Sequence, residues 1–140
     1  DAIILSKAGL EALDITNEIT QEFSCNELIP SAGQGTIAIQ CREKDIDMIE
    51  FLKKINHDET SIVVKAEREI LKVLDGDCET AVGATSSIHE NKIHLSGELF
   101  SIDGKRRYYY ETIKELKIAN EAGIEVGNKL KEQSKGDYKK

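Results

Sequence analysis

Three patterns predict an α+β domain over residues 56–140, a three-stranded antiparallel sheet with helices on one face. Ile62, Val63, Ala66, Ile70, Val73 and Leu74 recur at three- and four-residue spacing, which gives a helix one apolar stripe. Three later runs alternate instead: Val82, Ala84, Ser86 and Ile88, then Ile93, Leu95, Gly97 and Leu99, then Lys105 to Ile113. Leu116, Ala119, Gly123, Val126 and Leu130 then mark the inner side of a closing helix, Glu115 to Gln133. Strands that alternate have one apolar side each, so both helices are expected to cover the same face.

The junctions carry their own signals. Asn56 can cap the first helix, with Glu59 three residues on as a capping box requires, and the acids suit the positive end of the helix dipole. His57 at this helix start reads as part of the cap rather than as a general base. Gly76 is a stop signal. His89-Glu90-Asn91-Lys92 is a polar turn, and Asp103-Gly104 is the strongest hairpin dipeptide in the chain. Tyr108, Tyr109 and Tyr110 follow one another in the third run, so their rings are expected on alternate faces rather than as a stacking platform for bases. His94 falls on a polar strand face with no second ligand at useful spacing. Small residues at Ala119, Ala122, Gly123 and Gly127 let the last helix approach closely. Residues 134–140 are polar and read as a frayed tail.

Residues 1–55 do not close by themselves. Ala2 to Leu5 reads as the end of a buried strand, and Ser6 as the cap of a short helix through Leu13. Residues 14–29 are mixed, and Pro30 ends them. Ser31-Ala32-Gly33-Gln34-Gly35 is a turn, and Thr36 to Cys41 alternates like a strand with Cys41 as a small buried side chain. Asp45 to Lys54 is a short amphipathic helix. The chain starts at Asp1 directly in an apolar run, so it reads as a fragment of something longer, with 1–55 as edges of other domains. The apolar edges left in 1–55 offer a surface for self-association.

Charge narrows the function classes. A net charge of −7 leaves no basic stripe to replace phosphate counterions, so no nucleic-acid partner is expected. No apolar run approaches the ~20 residues that cross a bilayer, so no membrane partner is expected either. Cys25, Cys41 and Cys78 are three and widely spaced, which fits neither a disulfide framework nor a zinc site and suits a reducing, cytoplasmic setting.

The chemistry is expected at Cys78, in Asp75-Gly76-Asp77-Cys78-Glu79-Thr80-Ala81-Val82-Gly83-Ala84, where the helical pattern stops and the strands begin. Asp75, Asp77 and Glu79 crowd the thiol with negative charge, which disfavours the thiolate. These surroundings suit a turnover nucleophile or redox thiol poorly, and no CxxC is present. On the residues alone, a stand-alone α+β binding or self-association domain remains a second reading.

Four segments in order resemble the porphobilinogen deaminase family over nearly the whole chain. They are Asp1-Ala2-Ile3-Ile4-Leu5 with Ala8-Gly9-Leu10; Pro30 to Ile39 with Cys41-Arg42; Asn56-His57 with Glu59-Thr60 and Ala66-Glu67-Arg68; and the Cys78 segment. The resemblance implies a three-domain transferase of tetrapyrrole (porphyrin, heme) biosynthesis. That enzyme condenses four porphobilinogen molecules into hydroxymethylbilane with release of ammonia. By the same resemblance, Cys78 holds a dipyrromethane cofactor through a thioether, and Gln34 and Gly35 are candidate cofactor contacts. Residues 1–29 would end the second domain and 30–55 return to the first, as partial segments of two α/β domains, and 56–140 would form the cofactor-anchoring C-terminal domain. The family's catalytic aspartate and most substrate-binding arginines fall upstream, so no catalytic residue is expected here and the fragment alone is expected to be inactive. Ala12 stands where the family has an arginine, and Ala81 where it usually has proline.

Overall fold

The computed structural model describes residues 1–76 and 79–139. Its centre is a sheet of β1 (Val82–His89), β2 (Lys92–Phe100) and β3 (Arg107–Glu115) in that spatial order, both pairings antiparallel. Two long helices flank it in sequence, α3 (Asp58–Leu74) and α4 (Ala119–Ser134). Two shorter ones, α1 (Lys7–Ala12) and α2 (Ile46–Lys53), lie in the first part of the chain.

The core lies where α3 and α4 pack on one sheet face. Ala66, Ile70 and Leu74 come from α3, Ala84, Ile93, Leu95 and Leu99 from the sheet, and Ala119, Ala122, Val126 and Leu130 from α4. These are the positions that the two sequence periods select. The helices touch closely at Gly123, where a Cβ would collide with the carbonyl oxygen of Ala66. That proximity is why the small residues of α4 stand where they do.

Register follows from the turns. Glu90 and Asn91 both have positive φ, 48° and 60°, the paired left-handed geometry that matches strand twist in a two-residue hairpin. The Asp103-Gly104 dipeptide sits in a longer connection. There Ser101 donates its N–H to the Arg106 carbonyl, and Asp103 accepts from Ser101 Oγ and from the Lys105 amide. β3 therefore begins at Arg107, two residues later than the pattern suggests. Tyr108 and Tyr110 reach Asp137 and Glu125 with their hydroxyls, while Tyr109 lies exposed and bonds Glu111, so the rings do alternate.

Several boundaries differ from expectation. The N-cap of α3 is His57, whose Nδ1 accepts from the Thr60 amide; Asn56 instead bonds the Asp58 carboxylate. α4 begins at Ala119 after a single 3-10 turn, Leu116–Ile118. The tail is docked: Tyr138 is 3% exposed and its hydroxyl donates to the Leu74 carbonyl at 2.8 Å. Asp137 pairs with Arg106 at 2.5 Å and its carbonyl accepts from the Ile102 amide. One aromatic ring in a polar run is enough to anchor it.

The first part of the chain departs most. Residues 2–5 and 36–41 form no strand; Ile3 and Ile37 are 80% and 89% exposed, and Cys41 is half-buried. A strand needs an edge to pair with, and these segments find none. α2 forms as its pattern predicts, with Asp45 accepting from the Met48 amide as N-cap. Among the described residues no helix is long and apolar enough to cross a membrane.

Candidate functional site

Cys78 lies outside the described residues, as does Asp77; the segments on either side are held as follows. α3 ends in a left-handed residue, Asp75, at φ 52° and ψ 44°. The Asp75 amide bonds the Lys72 carbonyl and the Gly76 amide bonds that of Leu71, the paired pattern of a Schellman cap. The stop is thus at Asp75, one residue before the glycine that signals it. Lys131 Nζ donates to the Val73 carbonyl and Tyr138 to that of Leu74. All four carbonyls from Leu71 to Leu74 therefore have partners, which fixes the end of the helix from which the Cys78 segment departs. Beyond it, the Val82 amide bonds the Thr80 carbonyl and the Phe100 amide bonds that of Ala81, which tie the exit to β2. Asp75 is paired with Lys139 at 3.5 Å.

The Pro30–Gly35 turn docks beside this exit. The Ala84 amide donates to the Pro30 carbonyl at 2.8 Å. A Cβ on Gly83 would stand 2.8 Å from the Ile29 carbonyl oxygen, so only glycine admits the chain there. Glu67, buried at 8% exposure, accepts from the Gly33 amide through Oε2 at 2.7 Å and from Ser86 Oγ through Oε1 at 2.5 Å. Ala32 packs against the core. Glu67 was legible in sequence only as one letter of the Ala66-Glu67-Arg68 segment; its place on the buried stripe of α3 was the signal that could have marked it.

Gln34 and Gly35, both exposed, follow directly. Three backbone amides of this stretch are already bonded within the chain: Gly33 to Glu67, Gln34 to the Ser31 carbonyl, and Thr36 to the Gly33 carbonyl. Gln34 can therefore meet a ligand through its carboxamide rather than its N–H. Gly35 has φ +79° with no atom within 4 Å of a Cβ position, so its backbone is open to approach. An exposed carboxamide beside an open glycine can donate a hydrogen bond to an acidic group of a ligand.

The other candidate places offer less. A cavity of about 350 Å³ on the sheet face away from α3 and α4 is lined by Cys25, Ser87, His94, Tyr109 and Glu111 among others. His94 meets His89 edge to face at 5.8 Å, and among the described residues no group of three or more His, Cys, Asp or Glu side chains could hold a metal ion. His57 is held in its cap. On the helix side, the Lys114 ammonium bonded to Glu125 lowers that carboxylate's pKa from its ordinary value, and burial opposes the effect.

Residues 61–132 match the family model described as porphobilinogen deaminase, C-terminal domain. The chain belongs to the porphobilinogen deaminase family. Residues 1–50 match a second model, described as porphobilinogen deaminase, dipyrromethane cofactor binding domain. Proteins named porphobilinogen deaminase are similar over most of the chain. The one from Alkaliphilus metalliredigens is 35% identical over 133 residues, 95% of this chain and 42% of the relative. That from Carboxydothermus hydrogenoformans is 36% identical over 130 residues, covering 93% and 42%. A Coxiella burnetii relative is 37% identical over 133 residues, covering 95% and 43%. The chain thus spans less than half the length of these porphobilinogen deaminases.

Proposed function

We propose that this chain forms the C-terminal part of a transferase that condenses four porphobilinogen molecules into hydroxymethylbilane, with release of ammonia, in tetrapyrrole biosynthesis. Its share of the work is to hold a dipyrromethane cofactor. Cys78 carries that group through a thioether, and Gln34 and Gly35 contact its carboxylate-bearing edge. The observation that carries this reading is the docking of the Pro30–Gly35 turn at the start of β1, shortly after Cys78 in the sequence, through Pro30 to Ala84 and Glu67 to Gly33. Two segments that the family resemblance marks for one ligand are thereby neighbours. In this reading residues 1–29 end the second domain, 30–55 return to the first, and 56–140 anchor the cofactor. Cys78 lies in the span 61–132 matched to the C-terminal model, and Gln34 and Gly35 in the span 1–50 matched to the model described as cofactor-binding.

The bound group would supply the growing pyrrole chain and the site for its extension. The residues of this chain bind and orient it; no side chain here is assigned to proton transfer, so the chain alone is inactive. The unpaired Cys25 and Cys41 support a reducing, cytoplasmic setting. Intact-mass measurement of the full-length protein tests the anchor. A mass increase equal to dipyrromethane, absent in Cys78→Ser, is expected; an active enzyme with an unmodified Cys78 would overturn it.

A second reading rests on a specific observation. Thirteen large apolar side chains are exposed in residues 1–55 against four in the rest of the described chain, which favours self-association of this chain through that surface. Sedimentation of the 140-residue chain decides it: concentration-dependent association supports the reading, and a monomer across the accessible range rejects it.

A further inference from the structure

We propose that Glu67 is a positioning residue that fixes the Gly33–Gly35 turn against β1, and so sets where Gln34 and Gly35 stand to meet the ligand of the proposed function. The ligand half of this statement rests on the function proposed above; the clamp itself does not. A carboxylate on the buried stripe of α3, between Ala66 and Ile70, is costly to desolvate, and an apolar residue would pack there as well. What the carboxylate adds is two directed bonds. Its two oxygens accept from two other segments, the Gly33 amide at 2.7 Å and the Ser86 hydroxyl at 2.5 Å. It therefore ties together a helix, a strand and a turn that lie far apart in sequence. Without it, the turn is held by the Ala84–Pro30 bond and the packing of Ala32. Both of those restraints act before Gly33, and the Gln34–Ser31 and Thr36–Gly33 backbone bonds shape the turn without tying it to the sheet or to α3, so among the described hydrogen bonds Glu67 is the one that fixes the chain entering Gln34 to the rest of the fold.

Hydrogen exchange on the full-length protein, comparing wild type, Glu67→Gln and Glu67→Ala, reads the clamp directly. Glu67→Ala should speed exchange across residues 31–36 by about tenfold or more while β2 keeps its protection. Glu67→Gln should restore most of it, because a carboxamide oxygen still accepts from the Gly33 amide and its NH₂ can donate to the Ser86 hydroxyl. Glu67→Met fills the volume without an acceptor and serves if the alanine variant fails to fold. In steady-state assays Glu67→Met should lower kcat/KM for porphobilinogen by about tenfold, with Glu67→Gln close to wild type. Unchanged exchange at 31–36, or an equal rise at 31–36 and in β2, overturns the clamp. Loosened exchange with unchanged kcat/KM overturns the coupling to the ligand. A wild-type protein without a Cys78 adduct overturns the function reading instead, and the exchange result still decides the clamp.

Discussion

Leu95 and Ile37 sit in stretches of similar sequence character, each an apolar residue in an alternating run, yet Leu95 is 1% exposed and Ile37 is 89% exposed. The difference between them is the difference between the two parts of the molecule. Residues 58–139 supply each apolar face with a partner: α3 and α4 for each other and for the sheet, the sheet for both. Residues 1–55 carry comparable faces, but among the described residues the first buried side chain is Ala66. Local pattern specifies which face is apolar; it does not supply the surface that covers it. Relatives more than twice as long have the additional chain that could do so.

Paired truncations test that contrast most strongly. Leu95→Ala should cost about 2–5 kcal/mol of unfolding free energy, because it leaves a cavity in a closed core. Ile37→Ala in the same chain should stay within about 0.5 kcal/mol. Urea denaturation followed by far-UV circular dichroism reads both, tryptophan fluorescence being excluded by the composition. Comparable losses for the two variants would break the comparison and mean that residues 36–41 bury their apolar side chains in solution.

The same contrast governs what could be read in advance. In 58–139 the periods of 3.6 and 2 identified α3, α4 and the three strands, because each apolar face finds its mate in the same stretch. Residues 2–5 and 36–41 carry a strand-like pattern but form no strand, because among the described residues no edge pairs with them. Errors within the closed part were local and chemical. Asn56 and His57 are both able to cap, and the imidazole Nδ1 takes the Thr60 amide. Gly76 is the residue that a left-handed stop favours, yet Asp75 adopts it. Of the proposed site, Cys78, Gln34 and Gly35 come from the family resemblance alone. The clamp at Glu67 was not legible, since a charged residue on an apolar stripe becomes meaningful only when its two partners are known.

Tyr138 marks the border of the closed region, and it sharpens the comparison from the other end. A polar tail would ordinarily fray, but this ring is buried against the core and its hydroxyl caps the last carbonyl of α3. Tyr138→Ala should cost about 3 kcal/mol through lost burial and an unpaired Leu74 carbonyl. Tyr138→Phe should cost about 1 kcal/mol, the hydrogen bond alone. Thermal or urea unfolding measures both. If neither variant shifts stability, the tail belongs with residues 1–55 rather than with the core.

The smallest effect is expected at Asp75, and its sign is the informative part. An L-residue at φ 52° bears a steric cost that glycine avoids, somewhat relieved for aspartate. The Lys139 pairing that Asp75→Gly removes is 3.5 Å long and 87% exposed on the Asp75 side, so its loss should be nearly neutral. The left-handed gain should outweigh the extra chain entropy that glycine brings to the unfolded state, giving a net stabilisation of about 0.5 kcal/mol. The Schellman bonds from Asp75 and Gly76 use backbone groups only and survive the change. A destabilised Asp75→Gly would therefore mean that the aspartate side chain itself holds the segment leading to Cys78. Its carboxylate would then be retained for the neighbouring thiol segment rather than for the helix end.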